Sequence, residues 1–194
     1  MISSLVFPDV FQRMRVLHPE VQLRVTETGS LFGMSMVSDG KLDAAIVSRD
    51  GPLPAALEGV DVCKISIVLY VSIENPLAAM PVVNYEKMQH LPLVLLKEGA
   101  FITSFVTKRF QQKGLSPNVI LNTNNLSTIR NLVNCNSVSA FLYEGLLHSE
   151  EENIVAIPLP DDPKIQVSLV WNRHHQQSKG LKDLIKLLRS NPNP

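Results

Sequence analysis

Apolar positions along this chain recur in short blocks whose period switches between helical and extended. Phe7, Val10, Phe11, Met14 and Leu17 fall at helical spacing, and Pro8 suits a first turn, so the pattern predicts a helix over Phe7–Leu17 that stops at His18-Pro19. Val21, Leu23 and Val25 then alternate with Gln22, Arg24 and Thr26, as a half-buried strand does. Ser30 is placed to cap a second helix carrying Leu31, Met34 and Val37 and closed by Asp39-Gly40. The run Leu42–Val47 is almost wholly apolar and fits a strand covered on both faces, which gives the opening segments the grammar of a parallel α/β sheet.

The same grammar continues. Strands are predicted at Ile65–Ile73, Leu93–Leu96, Val119–Leu121, Val138–Leu142, Ile154–Ile157 and Ile165–Trp171. Helices are predicted from an Asn84 cap to Gln89, from a Thr103 cap to Gly114, over Ser127–Asn134, and through Leu181, Leu184, Ile185 and Leu188. Asn136 tolerates a left-handed turn. The first helix starts within a few residues of Met1 and leaves no room for the strand that should precede it, so the chain reads as a piece of something longer.

Composition narrows the function classes. The 194 residues carry 18 Lys and Arg against 18 Asp and Glu, so a basic nucleic-acid grip is not expected of this piece. A 45% hydrophobic content with zero net charge excludes disorder, and no apolar run reaches membrane-spanning length. Two cysteines, Cys63 and Cys135, make no disulfide framework, so a reducing cytoplasm is expected. His174-His175 has no further ligands beside it and reads as an exposed loop; no metal site and no cofactor are expected. Glu150-Glu151-Glu152 reads as a solvated loop and Asn193-Pro194 as a frayed end. Nucleophile elbow, Walker and dinucleotide-binding motifs are missing, so no catalytic residue is assigned and the chain is not expected to be an enzyme.

The ordered segments FPDVFQRMRVLHPEVQLRVTETGS, SDGKLDAAIV, IVLYVSIENPLA, LPLVLLKEGA, QQKGLSPNVILNTNNLSTIRNLV and VSLVW resemble the effector-binding (regulatory) domain of LysR-type transcriptional regulators. The resemblance covers essentially residues 2–189. It implies an α/β fold of the type 2 periplasmic-binding-protein kind: two Rossmann-like lobes joined by two crossing strands, with a ligand cleft between them. Lobe I would be 1–71 and 167–194, lobe II 72–166, and the family's N-terminal DNA-binding winged helix-turn-helix is not in this chain. It further implies a homodimer, with tetramers in the full-length protein, DNA contact only through the missing domain, and no membrane partner. The dimer would pair Phe7–Leu17 of one subunit with Thr103–Lys113 of the other, near Arg13, Lys108 and Gln112. Cys63 and Cys135 lack the arrangement of the family's peroxide sensors. Asn134 to Val138 replace the family's small residues and glycines, and Tyr143-Glu144 its proline.

Ligands of α/β sheets bind where strands turn into helices, and free helix N-termini favour anions. Carried onto this chain, the resemblance marks Ser3 and Ser4 ahead of the first helix, Thr28, Gly29 and Ser30 ahead of the second, and Ser48 after the Leu42–Val47 strand. For Ser4 and Ser30, capping and effector contact both stand, and one hydroxyl can serve both; a lost cap costs about 1 kcal/mol. Arg49 has two readings, a bidentate carboxylate partner or a solvated loop residue. Gly99 allows close backbone approach, Ile102 offers an apolar wall and Thr103 a donor; Asn124 and Asn125 bring amides that both donate and accept. The implied effector is a small anion, most simply an organic carboxylate. The competing functions are a solute-binding protein or binding-fold enzyme, and an interaction-only domain.

Overall fold

The computed structural model describes residues 2–147 and 153–190, with side chains for 7–147 and 153–189. Glu150-Glu151-Glu152 and Asn193-Pro194 lie outside the described residues. Six helices are described, α1 (Ile2–Leu17), α2 (Ser30–Ser38), α3 (Tyr85–Met88), α4 (Phe101–Gln112), α5 (Leu126–Asn134) and α6 (Lys179–Ser190). The strands are β1 (Ala44–Arg49), β2 (Leu57–Ser72), β3 (Leu93–Leu95), β4 (Val119–Asn122), β5 (Ser139–Tyr143), β6 (Ile154–Pro158) and β7 (Lys164–Asn172). The chain divides into two compact units, 1–64 with 165–194, and 65–164, so β2 and β7 each run from one into the other.

In unit 1, β7 lies between β1 and the start of β2, and β1 runs antiparallel to it with Ile46 opposite Leu169. Val37, Val47, Leu57 and Val170 form the buried cluster there, with Met34, Leu42, Ala45 and Leu53 packed on it. Gly33 lies where α2 packs on β1, and a Cβ there would meet the Ala45 side chain at 3.5 Å, an ordinary contact. In unit 2, the second half of β2 pairs antiparallel with β5 and β6, while β3 is parallel to both β4 and β5. All five residues of β5 are buried, because both faces of this central strand are covered. Phe110 on α4 is fully buried between Tyr85 and Phe141, with ring centroids at 5.2 and 6.2 Å and near-perpendicular planes.

Several expectations need correction. The sheet is mixed rather than wholly parallel, because hydrophobic period does not encode pairing direction. The first helix begins at Ile2, so Pro8 lies inside it and Ser3 and Ser4 belong to its first turn instead of a loop ahead of it. Six residues upstream of Pro8 are too few to reveal a helical period. The Val21–Val25 strand is an extended segment without a ladder partner among the described residues. Its alternation survives only as exposure: Val21 and Leu23 are half-buried, Gln22 and Arg24 exposed, and Val25 is 52% exposed. Asn84 caps α3 as expected, accepting from the Lys87 N–H, and Asn136 adopts φ 52° after α5.

Candidate functional site

The residues singled out by the sequence fall in both units, most of them at turns that lead into helices. In unit 1 the turn is Thr28-Gly29 leading into α2. Gly29, not Ser30, is the N-cap, and no side chain caps this helix. Ser30 turns its hydroxyl to β1 instead, where Oγ accepts the Ser48 N–H at 3.0 Å with both residues buried. The capping expectation for Ser30 is therefore wrong, since a buried strand amide competes for the same oxygen. The first helical hydrogen bond of α2 runs from the Gly33 N–H to the Gly29 carbonyl, so the amides of Ser30, Leu31 and Phe32 precede the helical ladder. Ser3 and Ser4 contribute first-turn backbone of α1; their side chains are outside the described set.

In unit 2 the turn is Lys97 to Ala100 between β3 and α4, with Gly99 at φ 85°, a backbone conformation that favours glycine. Ala100 is the N-cap and, again, no side chain closes the helix. Thr103 is not the cap either: it sits one turn in, and its Oγ1 donates back to the Leu96 carbonyl at 2.8 Å. Ile102 is wholly buried in the unit 2 core. Asn124 accepts the Lys97 N–H at 3.0 Å and Asn125 caps α5 by accepting the Thr128 N–H at 3.1 Å. Both Asn residues are exposed, and each uses its carbonyl oxygen locally, which leaves the amide NH2 as the outward donor. A contrast emerges: α3 and α5 carry asparagine side-chain caps, whereas α2 and α4 carry none.

Arg49 takes neither of its expected roles. Its Nε donates to Ser168 Oγ at 2.9 Å, Nη1 to the Gly51 carbonyl at 2.6 Å and Nη2 to Asp61 at 2.6 Å, while Ser168 Oγ also donates to Asp61 at 2.7 Å. This network ties β1, β2 and β7 of unit 1 together, so Arg49 is structural. No local motif announces it, because its members stand far apart in sequence. Partial burial pushes the Asp61 carboxyl up, but the Ser168 and Arg49 hydrogen bonds outweigh it and hold Asp61 below its ordinary value of 3.8. A depressed carboxylate stabilises the fold fully above its ordinary value, and that contribution is lost as pH falls through the lowered one. Denaturation of Asp61→Asn and the parent across pH should therefore show a stability gap that is open at neutral pH and shrinks once pH drops below 3.8. A gap that does not change with pH contradicts this reading.

Cys63 is half-buried on β2 and burial pushes its thiol up; Cys135 is exposed, and both are free thiols. His174 and His175 are exposed in a loop, as expected. Among the described residues no helix is long and apolar enough to cross a membrane.

Comparison with known proteins adds the following. Residues 1–192 match the LysR substrate binding domain family. A probable nitrogen assimilation transcriptional activator from Synechococcus elongatus is 30% identical over 135 residues, covering 68% of this chain and 43% of that protein. The chain spans about half the length of the curated relatives it matches. The Synechocystis CcmR regulatory domain in complex with 2-PG superposes with a TM-score of 0.85 at 15% identity, covering 97% of this chain and 91% of that one. The BenM effector-binding domain with its effector benzoate gives a TM-score of 0.74 at 16% identity, covering 94% and 84%.

Proposed function

Starting from the fact that this chain belongs to the LysR substrate binding domain family, a family of transcriptional regulators and not of enzymes, we propose that it senses a small carboxylate-bearing effector on behalf of a longer DNA-binding protein. The observation that carries the reading is the contrast in capping. Two of the helices entered through turns marked by the family resemblance, α2 and α4, lack a side-chain cap, while α3 and α5 have one, the latter from Asn125, itself a marked residue. An anion at such a helix start takes the place of the missing cap, accepting from first-turn amides and gaining from the positive end of the dipole. Relatives of this fold hold 2-PG and benzoate, which supports an anionic ligand.

The contacts proposed in unit 1 are the amides after Gly29 with the Thr28 and Ser30 hydroxyls, backed by Ser48. In unit 2 they are the amides after Ala100, reached because Gly99 carries no side chain, and the Asn125 amide. Ser3 and Ser4 are proposed as further donors from the start of α1, and Thr103 as a hydroxyl that can turn from the Leu96 carbonyl. Ile102 contributes by fixing α4 from the core. Effector binding then shifts a conformational equilibrium only through its differential affinity for the states involved. The domain is proposed to work as a homodimer in the cytoplasm, within a tetramer in the longer protein, and a monomeric mass by light scattering at micromolar concentration contradicts the dimer.

Calorimetry across a panel of small carboxylates, benzoate, shikimate and 2-PG among them, tests the function. One panel member is expected to bind saturably with one-to-one stoichiometry per chain. Absence of heat for every member at millimolar concentration would favour an interaction-only domain.

A further inference from the structure

Unit 1 holds a second cluster of chemically capable groups, separate from the α2 turn. His18 follows the last residue of α1, where its N–H still bonds the Met14 carbonyl at 2.8 Å, and its own carbonyl accepts from Val21 at 3.0 Å, so the chain turns sharply through Pro19-Glu20. That turn faces Asp183 on α6. Asp183 is 8% exposed, and its Oδ2 is shielded from solvent without a hydrogen-bond partner. His18 Nδ1 stands 3.5 Å from this oxygen and 3.9 Å from Glu20 Oε1. At 3.5 Å the imidazole is close to Oδ2 but not aligned as a hydrogen bond. One donor atom from each of the three residues lies within 4.8 Å of the others.

A buried carboxylate oxygen without a partner is costly, so a positive centre facing it is strongly favoured. The lysines nearby do not fill that place. Lys186 Nζ is 3.9 Å from the other oxygen, Oδ1, and Lys179 Nζ is 3.3 Å from Glu20; both side chains are more than three-quarters exposed on flexible stems. Tetrahedral zinc sites place nitrogen and oxygen donors about 2.0–2.2 Å from the metal, which sets donor-to-donor edges of about 3.4 Å. The observed edges at His18 are 3.5 and 3.9 Å and the third, between the carboxylates, lies within 4.8 Å, so movement of the exposed Glu20 side chain toward His18 and Asp183 completes three legs of such a site. One imidazole and two carboxylates suit zinc, cobalt or nickel better than the all-oxygen shells of calcium and magnesium.

We propose that His18, Glu20 and Asp183 bind one divalent transition-metal ion of the zinc type, tying the end of α1 to α6 within unit 1. The proposal departs from the sequence expectation of no metal site; these ligands come from opposite ends of the chain and no spacing motif joins them. The site is independent of the effector reading and shares no residue with it.

The test is a cobalt(II) titration of the chelator-treated 194-residue chain, followed by visible absorption. One equivalent should develop the d–d bands of a low-coordinate N/O site, and zinc should displace it. Zinc should also raise the melting temperature of the parent, as any ligand specific to the folded state does. His18→Gln and Glu20→Gln should each weaken binding at least tenfold. Both positions are partly exposed, so these variants stay folded, whereas Asp183→Asn alters a buried group. No cobalt spectrum at millimolar metal overturns the proposal, and so does affinity unchanged in both His18→Gln and Glu20→Gln.

Discussion

Phe110→Ala is expected to lower the unfolding free energy by about 3–5 kcal/mol, the usual cost of deleting a fully buried aromatic side chain. Phe110 has no solvent exposure and makes edge-on contacts with both Tyr85 and Phe141, which come from α3 and β5. One ring thus joins three elements of unit 2, and the cavity left by alanine cannot be filled without moving all of them. The same helix opens with the uncapped Phe101 turn, so looser seating of α4 should weaken the effector as well as the fold. Phe110→Leu keeps most of the volume and should cost much less. Urea denaturation of both variants checks this, and a loss below about 1 kcal/mol for alanine would mean that α4 is held by something other than the ring cluster.

Ser30→Ala is expected to act twice. Removing Oγ strips the buried Ser48 N–H of its acceptor, at a cost of about 1–3 kcal/mol, more than the loss of a simple cap. It also removes a proposed ligand contact, with an expected drop in effector affinity of about tenfold, the equivalent of about 1.4 kcal/mol. Ser30→Thr keeps the oxygen and should recover most of the stability. Chemical denaturation and calorimetry on the same two variants separate the effects. Affinity unchanged in Ser30→Ala removes Ser30 from the site; stability unchanged removes the Ser48 bond from the account.

What the sequence reveals and what it hides follow from range. Local patterns located every strand of unit 2 and the caps of α3 because period and cap chemistry are written within a few residues, as in Asn84 with Lys87. They misjudged Ser30 and Thr103 because each hydroxyl is claimed by a distant or upstream backbone group, the Ser48 amide and the Leu96 carbonyl, which no local pattern displays. Arg49 was misjudged for the same reason: its partners Asp61 and Ser168 are brought to it only by strand pairing in unit 1. Val21–Val25 has the alternation of a strand but not the hydrogen-bonded neighbour that makes one. The turns carrying the candidate site were legible through the family resemblance; the absence of caps on α2 and α4 required coordinates.

The most direct test is an amide-resolved NMR titration of the chain with whichever panel carboxylate binds. Saturating ligand should shift the backbone amides of Ser30, Leu31 and Phe32 and those of Phe101, Ile102 and Thr103, while the capped start of α3, which carries no proposed contact, moves little. Tight binding that leaves both first turns unperturbed would contradict the account.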